Sequence, residues 1–169
     1  MSDKATTTER AWELIEKLGI SFFVTHSPSG MRGRPLAAIP KPEEGKIYFV
    51  INKLQGAKDE ELGKDPNVYL GFGDGSSKFV SVTGTATVSD DADLLERLWN
   101  PGAQAFWPDG PSTPGLASIV VIPQSAEYWD GPSTIVSTAK FLFALSTGTT
   151  PDMGANEKVQ IQAVAGKPL

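Results

Sequence analysis

The stretch "KFVSVTGTATVS", residues 78–89, decides the fold class. In an extended chain Phe79, Ser81 and Thr83 fall on one face, and Val80 and Val82 on the other. Gly84 interrupts the run, and a glycine inside a strand marks a bulge or bend of the kind a barrel needs at its corners. Working outward, "ISFFVTH" (20–26), "RPLAAIP" (34–40), "KIYFVIN" (46–52), "VYLGFG" (68–73) and "ASIVVIPQSAEYWD" (117–130) are β-branched or aromatic runs, the last interrupted by Pro123. "SPSG" (27–30) and "KPEEG" (41–45) are turns between them. Six such strands with little βαβ alternation predict a mainly β, antiparallel barrel with peripheral helices.

The helices are expected around that barrel. "TTERAWELIEKL" (7–18) has Thr7 or Thr8 as cap and an apolar side of Trp12, Ile15 and Leu18, and Gly19 ends it. "AKDEELGK" (57–64) is a short helix, and "SDDADLLERLW" (89–99) is a clear one with Ser89 as cap. Residues 100–115 read as a Pro/Gly/Trp-rich loop, and 133–148 as a helix. One domain is expected over 1–148, with 149–169 a mobile tail.

Composition excludes several classes of function. With 169 residues, a pI near 4.9 and no dense basic cluster, the chain is not expected to bind nucleic acid. It has no cysteine, so disulfides, thiol catalysis and thiolate metal sites are out. Its single histidine, His26, precludes a His-rich metal site within one chain and reads as structural or solvent-facing. No apolar leader or long apolar span is present, so a cytoplasmic protein without membrane contact is the expectation. "GFGDGSS" (71–77) looks like a phosphate loop, but a strand follows where a helix is required, so it reads as a hairpin turn. "HSPSG" lacks the context of a nucleophile elbow. The acidic pairs Glu43–Glu44, Glu60–Glu61 and Asp90–Asp91 read as solvated surface.

Two features remain. Three of the four tryptophans lie in "LWN" (98–100), "AFWPDG" (105–110) and "AEYWD" (126–130), which suits core or dimer packing or a flat conjugated ligand. The other is "MRGRPLAAIP" (31–40), which places Arg32 and Arg34 on one face of a strand. Like charges so close call for an anion. If the second and third strands pair, the arginines meet Asn52, Lys53 and Lys58 and form a seat for one phosphate. The alternative is that they pair with Glu43–Glu44 or Glu60–Glu61, and Lys58 alone reads as a solvated lysine.

"RGRPLAA", "YFVIN" with Lys58 six residues after Asn52, "VSVTGTATVSDDADLLERLWNPGAQAFWPDG" and "AEYWDGPS" together resemble the pyridoxamine 5′-phosphate oxidase-like FMN-binding split barrels, in the general stress protein 26 branch. The similarity runs over roughly 8–158. It implies a six-stranded antiparallel split barrel and a homodimer with FMN at the subunit interface. The residues it implies for FMN are Arg32, Arg34, Pro35, Leu36, Val50, Ile51, Asn52, Lys58, Ser81 and Trp129. Leu36 stands where the family often has methionine, and Asn52 where it has threonine or serine. Trp129 and Ser81 would reach the flavin from the partner subunit, and Lys58 and Arg34 would hold its phosphate.

The founding enzymes use an arginine–histidine motif near the C-terminus, whereas after Trp129 this chain has neither residue, only Lys140, Lys158 and Lys167. No useful pyridoxamine phosphate oxidase activity is therefore expected. The resemblance leaves two readings: a flavin-dependent oxidoreductase acting on a small molecule, or a stress protein that stores or senses FMN without turnover. A deazaflavin- or haem-binding barrel is a weaker third. Catalytic residues stay unassigned, with Tyr128 and His26 the only candidates as proton donors.

Overall fold

A computed structural model describes residues 7–55, 58–132, 144–148, 150 and 154–161. The chain opens with α1 (Thr7–Leu18), β1 (Ile20–Ser27), β2 (Gly30–Ala37) and β3 (Ile39–Lys41). A 3-10 turn at Pro42–Glu44 leads into β4 (Lys46–Asn52), followed by α2 (Lys58–Lys64), β5 (Asn67–Gly73) and β6 (Lys78–Ser89). Then come α3 (Ala92–Leu98), α4 (Pro101–Phe106), β7 (Leu116–Asp130) and β8 (Ala155–Val159). The strands form one antiparallel sheet in the order β2-β1-β5-β6-β7-β4-β3, with β8 also beside β7. The architecture is mainly β, a split barrel whose sheet does not close.

The sheet has eight strands among the described residues, where six were expected. The run expected over 34–40 is broken at Ala38, whose N–H donates to the Gly19 carbonyl at 2.7 Å. Its first part starts earlier, at Gly30, and pairs with β1; its second part is β3 and pairs with β4. The expected juxtaposition of Arg32 and Arg34 with the end of β4 is thereby corrected, because β2 is laddered to β1. The added strand β8 lies within 149–169, and its polar sequence "ANEKV" carries no strand alternation to announce it.

Alternation along β6 behaves as the pattern requires. Val80 and Val82 are buried and Phe79 and Thr83 are exposed. The same inward face collects Phe23, Phe49, Leu70, Ile119 and Val121, with Phe23 and Phe49 edge-to-face at 5.2 Å. Each such side chain removed from water contributes about 1.5–3 kcal/mol. Helix α1 adds Ala11, Trp12, Leu14 and Ile15 to this core. Asp130 at the end of β7 ties α1 down, accepting from Arg10 Nε at 2.7 Å and from Lys78 Nζ of β6 at 2.5 Å.

Pro123 sits in the middle of β7 because the β6–β7 register shifts there, between Thr83 and Gly84. Gly84 is required by close approach: a Cβ at this position would lie 2.4 Å from the Ile122 carbonyl oxygen. Two further expectations change in detail. The cap of α3 is Asp91, which accepts from the N–H groups of Asp93 and Leu94, and not Ser89. Part of the loop expected at 100–115 is α4, capped by Asn100 with Pro101 in the first turn. Most of the helix expected at 133–148 lies outside the described residues.

Replacing Gly84 by alanine should lower the unfolding free energy by about 2 kcal/mol, because backbone atoms rather than a flexible side chain must give way. Urea denaturation checks this, and an unchanged midpoint would show that the bulge relaxes freely.

Candidate functional site

In the β1–β2 ladder Thr25 faces Arg32 and Phe23 faces Arg34. Opposite residues share a face, and Phe23 and Thr25 are inward, so both arginines turn inward as well. There they meet α2. Arg34 Nη2 lies 2.5 Å from Glu61 Oε2, and Arg32 Nη1 lies 3.4 Å from Glu61 Oε1. Thr25 Oγ1 donates to Glu61 Oε2 at 2.6 Å and accepts from Arg34 Nη1 at 2.9 Å. The Glu61 side chain is 4% exposed and that of Arg34 12%, whereas Arg32 remains 53% exposed. The alternative in which the arginines pair with Glu60–Glu61 is the one observed, at Glu61, although this glutamate is buried and not on the solvated surface expected for it. Burial pushes its carboxyl up, but the hydrogen bonds from Thr25 and Arg34 and the charges of both arginines hold it below its ordinary value of 4.5.

A separate cleft of about 310 Å³ begins in the chain segment that follows Arg34. One wall is the β2–β3 segment from Pro35 to Ile39, and its floor is Val50, Ile51 and Asn52 at the end of β4. Gly102, Ala103, Phe106 and Trp107 close the far side from α4, with Asn100 and Gln55 at the edges. No ionisable side chain occurs among these lining residues. Arg34 is not among the lining residues, but it shares the inward face of β2 with Leu36, two residues on, which does line the cleft. Asn52 is partly committed to structure, since its Oδ1 accepts from the Leu54 N–H at 2.9 Å. Phe106 is 77% exposed and Trp107 lies 6.0 Å from it, ring to ring, and 6.4 Å from Trp99.

Five of the residues singled out in the sequence, Pro35, Leu36, Val50, Ile51 and Asn52, therefore line one cleft. Arg32 and Arg34 meet at Glu61. Lys58 is the first residue of α2, three positions before Glu61, and its side chain lies outside the described residues. Ser81 and Trp129 are elsewhere within the chain. They lie in a shallow depression on the outer face of β1, β5, β6 and β7, with Phe22, Tyr69 and Phe79. Glycines make room there: a Cβ on Gly33 would lie 2.2 Å from the Phe22 ring and one on Gly73 would lie 2.8 Å from the Phe79 ring.

The remaining candidates have other occupations. His26 Nδ1 lies 2.8 Å from Asp65 Oδ2 at the mouth of the β1–β2 hairpin, outside the cleft. Tyr128 is buried and does not line the cleft either. In "GFGDGSS", Asp74 Oδ1 accepts from the N–H groups of Ser76, Ser77 and Lys78, which makes a hairpin turn and holds the Asp74 carboxyl far below its usual range. Glu44 accepts from Arg97 and from the Tyr48 hydroxyl. Lys53 pairs with Asp90 at 2.5 Å. Among the described residues no group of three potential metal ligands converges, and no helix is long and apolar enough to cross a membrane.

Comparison with known proteins settles the lineage. The family model described as pyridoxamine 5′-phosphate oxidase like matches residues 6–152. The chain belongs to this family. Among solved structures, a general stress protein 26 from Jannaschia sp. CCS1 superposes with a TM-score of 0.68 at 20% identity, covering 90% of this chain and 96% of that one. A general stress FMN/FAD binding protein from Xanthomonas citri gives 0.65 at 26% identity, covering 75% and 89%. The general stress protein 26 of Bacillus anthracis str. Sterne gives 0.59 at 19%, covering 70% and 92%. None of the curated proteins matches the chain in sequence.

As a member of the pyridoxamine 5′-phosphate oxidase-like family, the chain departs from the sequence reading chiefly at Glu61, whereas Phe106 and Trp107, flagged with "AFWPDG" but not named for the cofactor, line the cleft. The signal for Glu61 was available: Lys58, Glu61, Leu62 and Asp65 recur at i, i+3, i+4 and i+7, so Glu61 shares a side with the buried Leu62. Removing the charge with Glu61→Gln should cost about 3 kcal/mol at pH 7, since it leaves Arg34 poorly compensated. The folded carboxyl titrates below 4.5, so the wild-type advantage is full above that pH and shrinks as pH falls through the depressed value. Paired urea titrations from pH 7 to pH 3 check both points; a gap constant across that range would contradict them.

Proposed function

We propose that this chain binds FMN as a homodimer and acts as a flavin-dependent oxidoreductase on an uncharged small molecule. The observation that carries the reading is the apolar cleft without an ionisable lining residue, walled by Pro35, Leu36, Val50, Ile51 and Asn52, with Arg34 two residues from Leu36 on the same face of β2. A flavin needs a slot for its ring and a cationic end for its phosphate, and the residues present fit both. Leu36, Val50 and Ile51 supply apolar walls, Trp107 an aromatic one, and Asn52 an amide. Arg34, with Arg32 behind it, supplies the cationic end, and the resemblance adds Lys58. When bound, FMN supplies hydride and electron exchange; the chain binds it, orients it and excludes water.

A homodimer follows from two features. The cleft's volume of about 310 Å³ lies at the low end of the ~300–1,000 Å³ range of small-molecule sites, so one chain offers only part of an enclosure. The outer face bearing Ser81 and Trp129 exposes Phe22, Tyr69 and Phe79 together, and such a patch suits a partner surface. The names of similar structures support the ligand class: one is a general stress FMN/FAD binding protein, and another, from Nostoc punctiforme, an FMN binding protein related to pyridoxamine 5′-phosphate oxidase.

The absence of an ionisable residue among those lining the cleft also favours a second reading, in which FMN is held or sensed without turnover. Haem binding finds no histidine in the cleft, since His26 is on the hairpin. Fluorescence titration should show one FMN per chain, weakened at least about tenfold by Arg34→Ala. Phe79→Glu should shift the protein from dimer to monomer in sedimentation and weaken FMN with it. Bleaching of the bound flavin by NADH or NADPH selects the oxidoreductase, and a flavin that stays oxidised selects the holding protein. A wild type that binds no FMN contradicts both.

A further inference from the structure

We propose that Glu61 is a counter-anion built into the cofactor site, competing with a ligand phosphate for Arg34 and setting how tightly a dianionic phosphate is accepted. The inference rests on the flavin reading above and concerns the regulation of affinity at that same site. Both terminal nitrogens of Arg34 are already engaged, one by Glu61 and one by Thr25. Arg32 also leans on Glu61. The two guanidinium groups and one carboxylate sum to a single positive charge, whereas a phosphate monoester near neutral pH carries between about 1.5 and 2 negative charges. Glu61 is buried, so solvent and salt screen its charge weakly.

A phosphate reaching Arg34 from the cleft therefore either shares the guanidinium with a carboxylate of like charge or draws it away from Glu61. Sharing is geometrically open, because a guanidinium has five N–H donors. It is electrostatically unfavourable, because the two anions then stand within a few ångströms of each other. The same glutamate fixes α2 to the β1–β2 hairpin, so stability and phosphate affinity pull in opposite directions at one side chain. This arrangement differs from an ordinary structural ion pair in its position, because Arg34 shares the inward face of β2 with Leu36, which lines the cleft.

The test is a titration of FMN and of riboflavin, which lacks the phosphate, against wild type, Glu61→Gln and Glu61→Asp. Each variant is first checked for folding by circular dichroism. Glu61→Gln should bind FMN tighter on the order of tenfold, with riboflavin affinity unchanged. Glu61→Asp keeps the charge but draws it back by one methylene, and should move FMN affinity in the same direction by less. If Glu61→Gln does not fold, Glu61→Asp decides. Unchanged or weaker FMN binding in the folded variants overturns the proposal while leaving the flavin reading intact, as does a parallel change for both flavins. A wild type that binds neither flavin overturns the flavin reading and this inference together.

Discussion

The carboxylate of Glu61 is the constraint on which the packing of α2 against the β1–β2 hairpin depends. A buried glutamate is unstable unless it is paired and hydrogen-bonded. It receives the Thr25 hydroxyl from β1 and two guanidinium groups from β2. That requirement joins two features: the register that turns Arg32 and Arg34 inward, and the seat of α2 against β1. Each of the chain's four arginines has an acidic partner, Arg10 with Asp130 and Glu13, Arg97 with Glu44, and the remaining two with Glu61. Only at Glu61 do two arginines share one carboxylate.

The molecule presents two largely apolar surfaces. One is the cleft between the β2–β3 segment, β4 and α4, apolar and open on one side. The other is the aromatic outer face of β1, β5, β6 and β7, where small glycines let Phe22 and Phe79 lie flat against the sheet. Both readings of function use the same logic, that one face completes the other across a two-fold axis. An isologous contact needs no new chemistry, only self-complementary patches.

Much of this was legible in the sequence, for definite reasons. The β6 alternation and Gly84 announced a bent antiparallel strand, since a period of two with one glycine has few other solutions. Helix α1 was readable to its observed ends because Gly19 stops it and its apolar spacing is regular. Pro35, Leu36, Val50, Ile51 and Asn52 were named through the family resemblance, and in the structure they line one cleft. What failed was long-range choice. Nothing local distinguishes β2 pairing with β1 from β2 pairing with β4, and the break at Ala38 allows the run to do one and then the other. The pairing of the two arginines with Glu61 was one of the two alternatives left open, but its burial was not expected, because acidic residues in short helices are usually solvated. The α4 helix was hidden by its proline and glycine, although Asn100 followed by Pro101 is a helix start.

The most direct test is a crystal structure of the protein with FMN. The account predicts the flavin ring in the cleft against Leu36, Val50 and Trp107, its phosphate within hydrogen-bonding distance of Arg34, and Trp129 of the partner subunit closing the open side. A flavin bound elsewhere, or a dimer that leaves Trp129 and Phe79 facing solvent, would contradict it.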